Sequence, residues 1–295
     1  MSVQRDLSAI RPAARATFRS RGQDGLQIEA KNRAVSVRQG DPMNWIRERA
    51  LKREILSGTW LNLGSSITAE IAGLAGFDWV VVDLEHGAGG HDSALHQLQA
   101  ISATPAAPLV RVVWNEAPRV KRVLDLGAAG VVIPYVQSSE EAELAVGAVR
   151  YPPEGVRGAA SITRAAGFGA QFREYLTTAN DKLLSVIQIE TERALASVEE
   201  IAAVAGVDVL FVGPLDLSIN LGIATEYDNP RFRAALAKVS AAARSHGKAA
   251  GILLSRPEQL EQTVADGFSF IGLGSDGGVL AEGMRGLASA FGKYR

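Results

Sequence analysis

The sequence of 295 residues predicts an α/β fold of the (β/α)8 TIM-barrel class, preceded by an N-terminal extension of uncertain order. From about residue 60 onward, short apolar runs alternate with stretches of helical period, which is typical of a parallel sheet covered by helices. Eight such units within about 235 residues match a barrel in number and size. A doubly wound open sheet is the alternative. A dinucleotide-binding domain of that class would have a Gly-x-Gly-x-x-Gly motif after its first strand, and this sequence has none there.

Eight strands are predicted from the apolar runs. In chain order they cover Trp60–Gly64, Trp79–Glu85, Pro108–Val112, Gly130–Val136, Leu183–Glu190, Val207–Gly213, Ala249–Leu254 and Phe270–Ser275. The later runs are nearly continuous in hydrophobic residues, as strands buried on both faces are. The connection Tyr151–Asn180 is predicted to be irregular, and such a long connection in a compact barrel is usually functional or an interface.

Helices are predicted between the strands. They cover Ile67–Ala75, Ser93–Ile101, Ala117–Leu126, Ser139–Arg150, Glu192–Val204, Pro230–His246, Pro257–Ala265 and Val279–Phe291. Ser138 or Ser139 is expected to cap the fourth of these, with Glu141 in its first turn. Glycines stand where four helices should end and are expected to adopt left-handed caps: Gly127, Gly206, Gly247 and Gly267.

Residues 1–40 are predicted to be a separate extension, and residues 41–295 the barrel domain. The extension is rich in arginine and poor in acids, and it shows no clear periodicity. Three interpretations remain: a flexible tail or a start codon placed too far upstream, an arm that packs on a partner subunit, and a transit peptide.

Composition excludes several classes of protein. The chain has no cysteine, which excludes disulfides and thiolate chemistry and fits a cytoplasmic protein. The net charge of −1 gives no reason to expect a nucleic-acid partner. No apolar run approaches the roughly 18 residues that a membrane span requires, so no membrane partner is expected either.

Two acidic residues at strand ends are candidate metal ligands. Glu190 ends the fifth predicted strand and Asp216 follows the sixth, so both side chains should lie at the carboxyl edge of the barrel, where active sites form. Two carboxylates completed by waters and a chelating substrate commonly hold Mg²⁺ or Mn²⁺. Alternatively, each residue stabilises the amino end of the helix that follows it.

The second strand ends in Asp83-Leu-Glu-His86. Alternation would send Asp83 and Glu85 to one face and His86 to the other, unless the chain turns back over the barrel mouth where the strand ends. A histidine there could act as a general base, although a structural role is equally open. Arg111, inside the third apolar run, must be paired or functional; it could bind a carboxylate or stabilise an enolate oxygen. By position alone, Asp125 is a solvated helix residue.

The positions of the lysines, and one glycine-rich run, help to distinguish between possible reaction types. No lysine lies near the carboxyl end of a predicted strand; Lys182 and Lys248 precede strands and belong to the opposite face. A Schiff-base aldolase needs a lysine at the mouth, so that class is disfavoured. The run Gly272–Gly278 could bind a phosphate or form a tight turn, but it contains no basic residue.

Together these motifs resemble the HpcH/HpaI aldolase family of metal-dependent pyruvate aldolases. The resemblance extends from about Gly58 to Gly292. The segments that carry it are Gly76–His86, Arg150–Gly158, Val186–Thr191 and Val212–Ser218. It implies a homo-oligomer, commonly a hexamer in which the last helix is exchanged between subunits.

The resemblance also implies residue roles. Glu190 and Asp216 would bind Mg²⁺, Mn²⁺ or Co²⁺, with Asp83 and Glu85 supporting the site. His86 would be the acid/base residue, made more basic by Asp125, often across a subunit boundary. Arg111 would bind pyruvate and stabilise its enolate. The implied substrate contacts are Gln188 and the segment Gly213, Pro214 and Leu215, the last through its backbone. Leu215 stands where many relatives have a smaller residue, and Gly87 stands where some relatives have alanine. These two differences leave open the size of the aldehyde that the site accepts.

These roles predict a class II aldol cleavage or condensation that yields pyruvate, or a close 2-oxoacid, and an aldehyde from a 4-hydroxy-2-oxoacid, with the cation acting as a Lewis acid on the enolate. Three other activities compete with it. An acyl-CoA lyase should show a basic rim for the nucleotide, which is not evident. A 2-oxoacid decarboxylase would use the same enolate chemistry, and a phosphate-sugar isomerase would use Gly272–Gly278 and would not need Glu190 and Asp216 together. A non-catalytic binding barrel would have little use for these strand-end residues.

Overall fold

The computed structural model describes residues 42–294, and these form a closed barrel of eight parallel strands in the order β1 to β8. The strands are β1 Leu56–Leu61, β2 Trp79–Asp83, β3 Ala107–Arg111, β4 Gly130–Ile133, β5 Leu184–Ile189, β6 Val209–Val212, β7 Ala249–Leu254 and β8 Phe270–Ser275. The predicted fold class is therefore confirmed, and the open sheet is excluded because β8 pairs with β1. The predicted extension over residues 1–40 lies outside the described residues.

Helices surround the barrel in the connections. They are α1 Pro42–Leu51, α2 Ser66–Leu74, α3 His91–Ile101, α4 Ala117–Asp125, α5 Ser139–Val149, α6 Phe172–Lys182, α7 Glu192–Ala196, α8 Val198–Ala203, α9 Pro214–Asn220, α10 Pro230–Ser245, α11 Leu260–Ala265 and α12 Asp276–Ser289. No helix among residues 42–294 is long and apolar enough to span a membrane.

The predicted helix boundaries are largely confirmed where a side chain or a glycine sets them. Ser138 caps α5, and its hydroxyl accepts a hydrogen bond from the backbone N–H of Glu141. All four glycines predicted to end helices have positive φ, between 68° and 96°. Glycine adopts this conformation without the steric cost that a Cβ would impose.

Some predicted elements were wrong. The predicted helix Glu192–Val204 is interrupted at Ser197 and forms α7 and α8. The segment Tyr151–Asn180, predicted to be irregular, contains most of α6. Helices α1 and α9 were not predicted, because one precedes the regular pattern and the other is only seven residues long.

The first strand was placed too late in the chain. Its polar residues and Gly58 interrupt the apolar pattern, so its start was hidden. A Cβ at Gly58 would overlap the indole ring of Trp79, which occupies the barrel interior. The strand therefore requires a glycine at this position, although the glycine interrupts the apolar pattern by which strands are predicted. The observed β1 covers Leu56–Leu61.

Aromatic residues fill the barrel interior below the mouth. The rings of Trp79 and Phe270 stack with their centroids 4.4 Å apart, and Phe211 and Trp60 pack around them. Ile46 of α1 is fully buried against this cluster. Because this layer fills the interior, the open space that remains lies above it, at the carboxyl ends of the strands.

Candidate active site

A cavity of about 1240 Å³ opens at the carboxyl ends of the strands. It brings together residues that are far apart in the sequence and come from four strands or their ends. The predicted site residues that line it are His86, Arg111, Gln188, Glu190, Gly213, Pro214, Leu215 and Asp216. Asp83 and Glu85 lie beside it and contact Arg111, whereas Asp125 is not among the lining residues.

Arg111 is the last residue of β3 and is held by two acids from the end of β2. Its Nε and Nη2 donate hydrogen bonds to the two carboxylate oxygens of Asp83, at 2.9 and 2.7 Å. Nη1 lies 3.0 Å from Oε2 of Glu85; this is an ion pair rather than a hydrogen bond, because no donor is aligned with that oxygen. Burial raises the pKa of Glu85, against the opposing effect of the arginine charge. The guanidinium is therefore fixed in one orientation at the cavity wall.

Asp83 also shapes the turn that carries His86. Its Oδ1 accepts the backbone N–H groups of Glu85 and His86, at 3.0 and 3.3 Å. These bonds end the strand and direct the chain over the mouth, in the manner of an Asx turn. The His86 side chain is exposed and lies in the cavity wall, where it can reach a bound molecule.

Glu190 follows β5 and is almost completely buried, with 2% of its surface exposed. Its Oε2 accepts the backbone N–H of Tyr135 at 3.0 Å, and its Oε1 accepts the Gln188 side-chain amide at 2.7 Å. Burial, with a smaller contribution from the negative charges of Glu85 and Asp216, raises its pKa to about 7. A carboxyl group whose pKa is raised this far by its surroundings is typical of a functional site.

Asp216 lies in the first turn of α9, a short helix that begins immediately after β6. Gly213 is its N-cap and Pro214 occupies the first position, where its missing N–H costs no hydrogen bond. A Cβ at Gly213 would collide with the Glu190 carboxylate. The glycine thus allows this segment to approach Glu190 closely. Leu215 is half exposed at the cavity rim.

These carboxylates fit a divalent cation. Glu190 and Asp216 line the same cavity, and burial is the main reason that the pKa of Glu190 is raised, with a smaller contribution from the negative charges of Glu85 and Asp216. Within residues 42–294, no three His, Asp or Glu side chains form a complete metal site. Mg²⁺ is commonly bound by one or two protein carboxylates, and water and substrate occupy its other coordination positions.

Asp125 lies elsewhere, at the end of α4. Its Oδ1 accepts a hydrogen bond of 2.7 Å from Nη2 of Arg157, whose side chain is completely buried. The interpretation of Asp125 as a solvated helix residue, based on its position alone, is therefore wrong, because this partly exposed carboxylate pairs with a completely buried arginine. The sequence did not reveal Arg157 as its partner, since β4, α5 and their connecting segments separate the two residues.

The glycine-rich run Gly272–Gly278, which covers the end of β8 and the start of α12, is not an open phosphate loop. The N–H of Gly277 donates to Asn62 and Asp276, and that of Gly278 donates to the Ser275 hydroxyl, which caps α12. These donors are already satisfied. Among the described residues, no lysine lines the cavity.

Several functional candidates were not predicted from the sequence. Trp60 and Phe211 form the cavity floor, and Arg111 lies over the Trp60 ring at 5.9 Å from its centroid. Their inward alternation along β1 and β6 could have indicated this position. Tyr135 supplies a backbone donor to Glu190 from a left-handed conformation, φ 56°, for which the sequence carries no signal.

The fold and the cavity define an enzyme: a parallel barrel with ionisable groups gathered at its carboxyl ends. The model of the HpcH/HpaI aldolase/citrate lyase family matches residues 56–283. The chain is 40% identical over 235 residues to the 4-hydroxy-2-oxo-heptane-1,7-dioate aldolase of Salmonella typhimurium, covering 80% of this chain and 89% of that protein.

Solved structures agree with this match. A HpcH/HpaI aldolase/citrate lyase family protein from Burkholderia cenocepacia superposes with a TM-score of 0.80 at 37% identity, over 84% of this chain and 98% of that one. A HpcH/HpaI aldolase from Desulfitobacterium hafniense gives 0.76 at 28% identity, over 83% and 96%. The chain therefore belongs to the HpcH/HpaI aldolase/citrate lyase family and is a carbon–carbon lyase.

Proposed function

We propose that this enzyme catalyses class II aldol cleavage and condensation, converting a 4-hydroxy-2-oxoacid to pyruvate, or a close 2-oxoacid, and an aldehyde. The observation that carries the proposal is the cavity that holds Glu190, Asp216, Arg111 and His86 together. The Salmonella typhimurium relative, by its name, acts on a substrate of this class.

Glu190 and Asp216 would hold the cation, with Mg²⁺, Mn²⁺ and Co²⁺ as candidates. Both line the cavity, and their repulsion would be relieved by a positive ion. The cation would supply Lewis-acid stabilisation of the negative charge that develops on the 2-oxoacid.

Arg111, which lines the same cavity, would stabilise the same charge. Asp83 and Glu85 keep its guanidinium aimed at the cavity, so little reorganisation is needed as charge develops. Gln188 and the segment Gly213–Leu215 would contact the oxoacid, and Leu215 would limit the size of the aldehyde.

His86 would move the proton of the 4-hydroxyl group. In cleavage, the hydroxyl proton passes to the imidazole and the C3–C4 bond breaks. The electron pair of that bond enters the enolate, the aldehyde leaves, and a proton returned to C3 gives pyruvate. His86 is exposed in the cavity wall, as this step requires.

We also propose a homo-oligomer in which Asp125 acts on the partner subunit's His86. In support, α12 extends with no buried residue, and it exposes apolar side chains. Between 47% and 71% of each is exposed: Val279, Leu280, Met284 and Leu287. A helix of this kind is expected to be covered in an assembly. A hexamer would agree with the family resemblance.

The decisive experiment measures pyruvate release from a panel of 4-hydroxy-2-oxoacids after treatment with EDTA and after addition of Mg²⁺, Mn²⁺ or Co²⁺. Activity should disappear with EDTA and return with metal. Borohydride added with pyruvate should trap no covalent adduct, because no described lysine lines the cavity. Activity that survives complete metal removal, or a trapped adduct, would overturn the proposal.

A further inference from the structure

Arg157 is a buried cation that the proposed reaction does not use directly. It follows the Tyr151-Pro-Pro-Glu-Gly-Val segment, and its side chain has no exposed surface. Its guanidinium contacts two aromatic rings that are almost perpendicular to each other, 4.5 Å from the centroid of Tyr151 and 5.4 Å from that of Tyr175. Nη2 contacts the Tyr175 hydroxyl at 3.1 Å and Asp125 at 2.7 Å.

The segment that carries Arg157 is itself anchored. The Asn180 side chain of α6 accepts the backbone N–H of Tyr151 at 2.8 Å and donates to its carbonyl at 3.0 Å. The backbone N–H of Arg157 donates to the carbonyl of Arg150 at 2.9 Å. Both rings and the arginine are thus fixed to the barrel, and the guanidinium has little freedom to move.

Stability alone does not explain this cluster. Nε and Nη1 of Arg157 have no hydrogen-bond acceptor among residues 42–294. A buried arginine with unsatisfied donors and one carboxylate partner is commonly less stabilising than apolar packing would be. What the arrangement does provide is a rigid support for that carboxylate.

The Asp125 carboxylate is held at one oxygen only. Oδ1 is bound by Arg157, the side chain is 23% exposed, and no donor within the described chain reaches Oδ2. A partly exposed carboxylate that is fixed through one oxygen can accept a further hydrogen bond at its other oxygen, from a group outside the subunit. Carboxylates that orient a histidine are typically held by such partners.

We propose that Arg157 is a positioning residue: it fixes Asp125 so that Oδ2 meets the partner subunit's His86. This inference rests on the proposed function, in which Asp125 acts on that histidine. Arg157 touches neither substrate nor cation; it acts through Asp125. The rings of Tyr151 and Tyr175, at 81° to each other, pack against the guanidinium and limit its movement, which in turn limits the orientation of the carboxylate.

The test compares two reactions of the same metal-loaded enzyme: aldol cleavage, which requires proton transfer at the hydroxyl, and oxaloacetate decarboxylation, which does not. Arg157→Met should lower kcat for cleavage by about 10- to 100-fold, within the range of general acid–base effects. The kcat for decarboxylation should change less than threefold. Arg157→Lys, which can still reach Asp125, should recover part of the cleavage rate.

Asp125→Asn and the double variant Arg157→Met/Asp125→Asn complete the cycle. Because both residues would serve one function, the double variant should be no slower in cleavage than the slower single variant. Arg47→Met is the matched control: Arg47 pairs with Asp208 at 3.0 Å on the opposite face of the barrel. It should lower thermal stability without changing the ratio of the two rates.

The outcomes separate the two proposals. If Asp125→Asn slows both reactions equally, the role of Asp125 in the proposed function is wrong. If Asp125→Asn selectively slows cleavage but Arg157→Met and Arg157→Lys do not, the positioning role of Arg157 is wrong. Should Arg157→Met fail to fold, Arg157→Lys decides: equal loss of both activities, or no loss of either, contradicts the inference.

Discussion

Arg111 and Asp83 form a two-point ion pair between adjacent strand ends. The two residues face each other in the register of β2 and β3, and two nearly parallel hydrogen bonds of 2.9 and 2.7 Å join them. The same Asp83 carboxylate accepts the backbone N–H groups that begin the turn to His86. One acid therefore sets the position of two residues with different proposed roles.

Asp83→Asn should impair both roles. The amide cannot accept both guanidinium hydrogen bonds, and it leaves a buried arginine compensated only by Glu85. Loss of one partner from a buried pair costs about 3–5 kcal/mol, so the thermal midpoint should fall. Cleavage and decarboxylation should both slow. Circular dichroism melts and steady-state rates check this; an unchanged decarboxylation rate in the folded variant would contradict it.

Variants of Arg111 and His86 should differ in which reactions they impair. Arg111→Ala should slow aldol cleavage, oxaloacetate decarboxylation and exchange of the pyruvate methyl protons, because all three pass through the enolate. His86→Ala should spare decarboxylation, which moves no hydroxyl proton, and the two rates should diverge by about 10²–10⁴-fold. Metal affinity, measured by calorimetry, should change little in either. Equal loss of both activities in His86→Ala would refute its assignment.

Metal binding should be linked to release of a proton near neutral pH. Burial raises the pKa of Glu190 to about 7 in the metal-free protein, and a cation binds the ionised form. Apparent affinity should therefore increase about tenfold between pH 6 and 8 and level off at higher pH. Calorimetry in two buffers of different ionisation enthalpy would detect the proton. The absence of any buffer dependence at pH 6 would contradict the prediction.

The same residue should make the metal-free protein less stable in base. Because the folded-state pKa of Glu190 lies above its ordinary value of 4.5, its contribution to stability is complete below that value. It is lost as pH rises through about 7, with a magnitude on the order of 3 kcal/mol. In urea melts, Glu190→Gln should remove this contribution to the difference in unfolding free energy between pH 5 and pH 8.

The Gln188 amide can rotate to meet an amide at residue 190, since its own Oε1 has no donor among the described residues. The Glu190→Gln variant should therefore fold normally. At pH 8 in EDTA it should be more stable than the parent enzyme, while binding metal weakly. A variant that is less stable than the parent enzyme under those conditions would contradict this interpretation.

Gly213→Ala should weaken the proposed metal site without removing either proposed ligand. The added methyl group would collide with the Glu190 carboxylate and displace it. We expect metal affinity to fall at least tenfold, while the thermal midpoint of the metal-free protein changes by only a few degrees. Gly278→Ala is a suitable control, because a Cβ there meets only the Ser275 hydroxyl, at 3.2 Å. Unchanged affinity in Gly213→Ala would contradict the assigned geometry.

The sequence by itself determined the fold class and the edge on which the site lies. Alternation of apolar and helical periods reports local burial, and burial is enough to predict eight βα units. The strand-end position of Glu190 and Arg111 then follows from the direction of parallel strands. The predicted first strand begins too late because Gly58 interrupts the apolar pattern of β1. A glycine is needed there because the ring of Trp79, 21 residues further along the chain, leaves no room for a Cβ.

Only the tertiary structure decided which side chains meet. Whether Arg111 contacts Asp83 depends on the register of two strands, and the pairing of Asp125 with Arg157 depends on how a loop folds over a helix end. The raised pKa of Glu190 likewise results from burial and from neighbours on other strands. Sequence periodicity carries no such information, because these contacts arise from barrel closure rather than from the local chain.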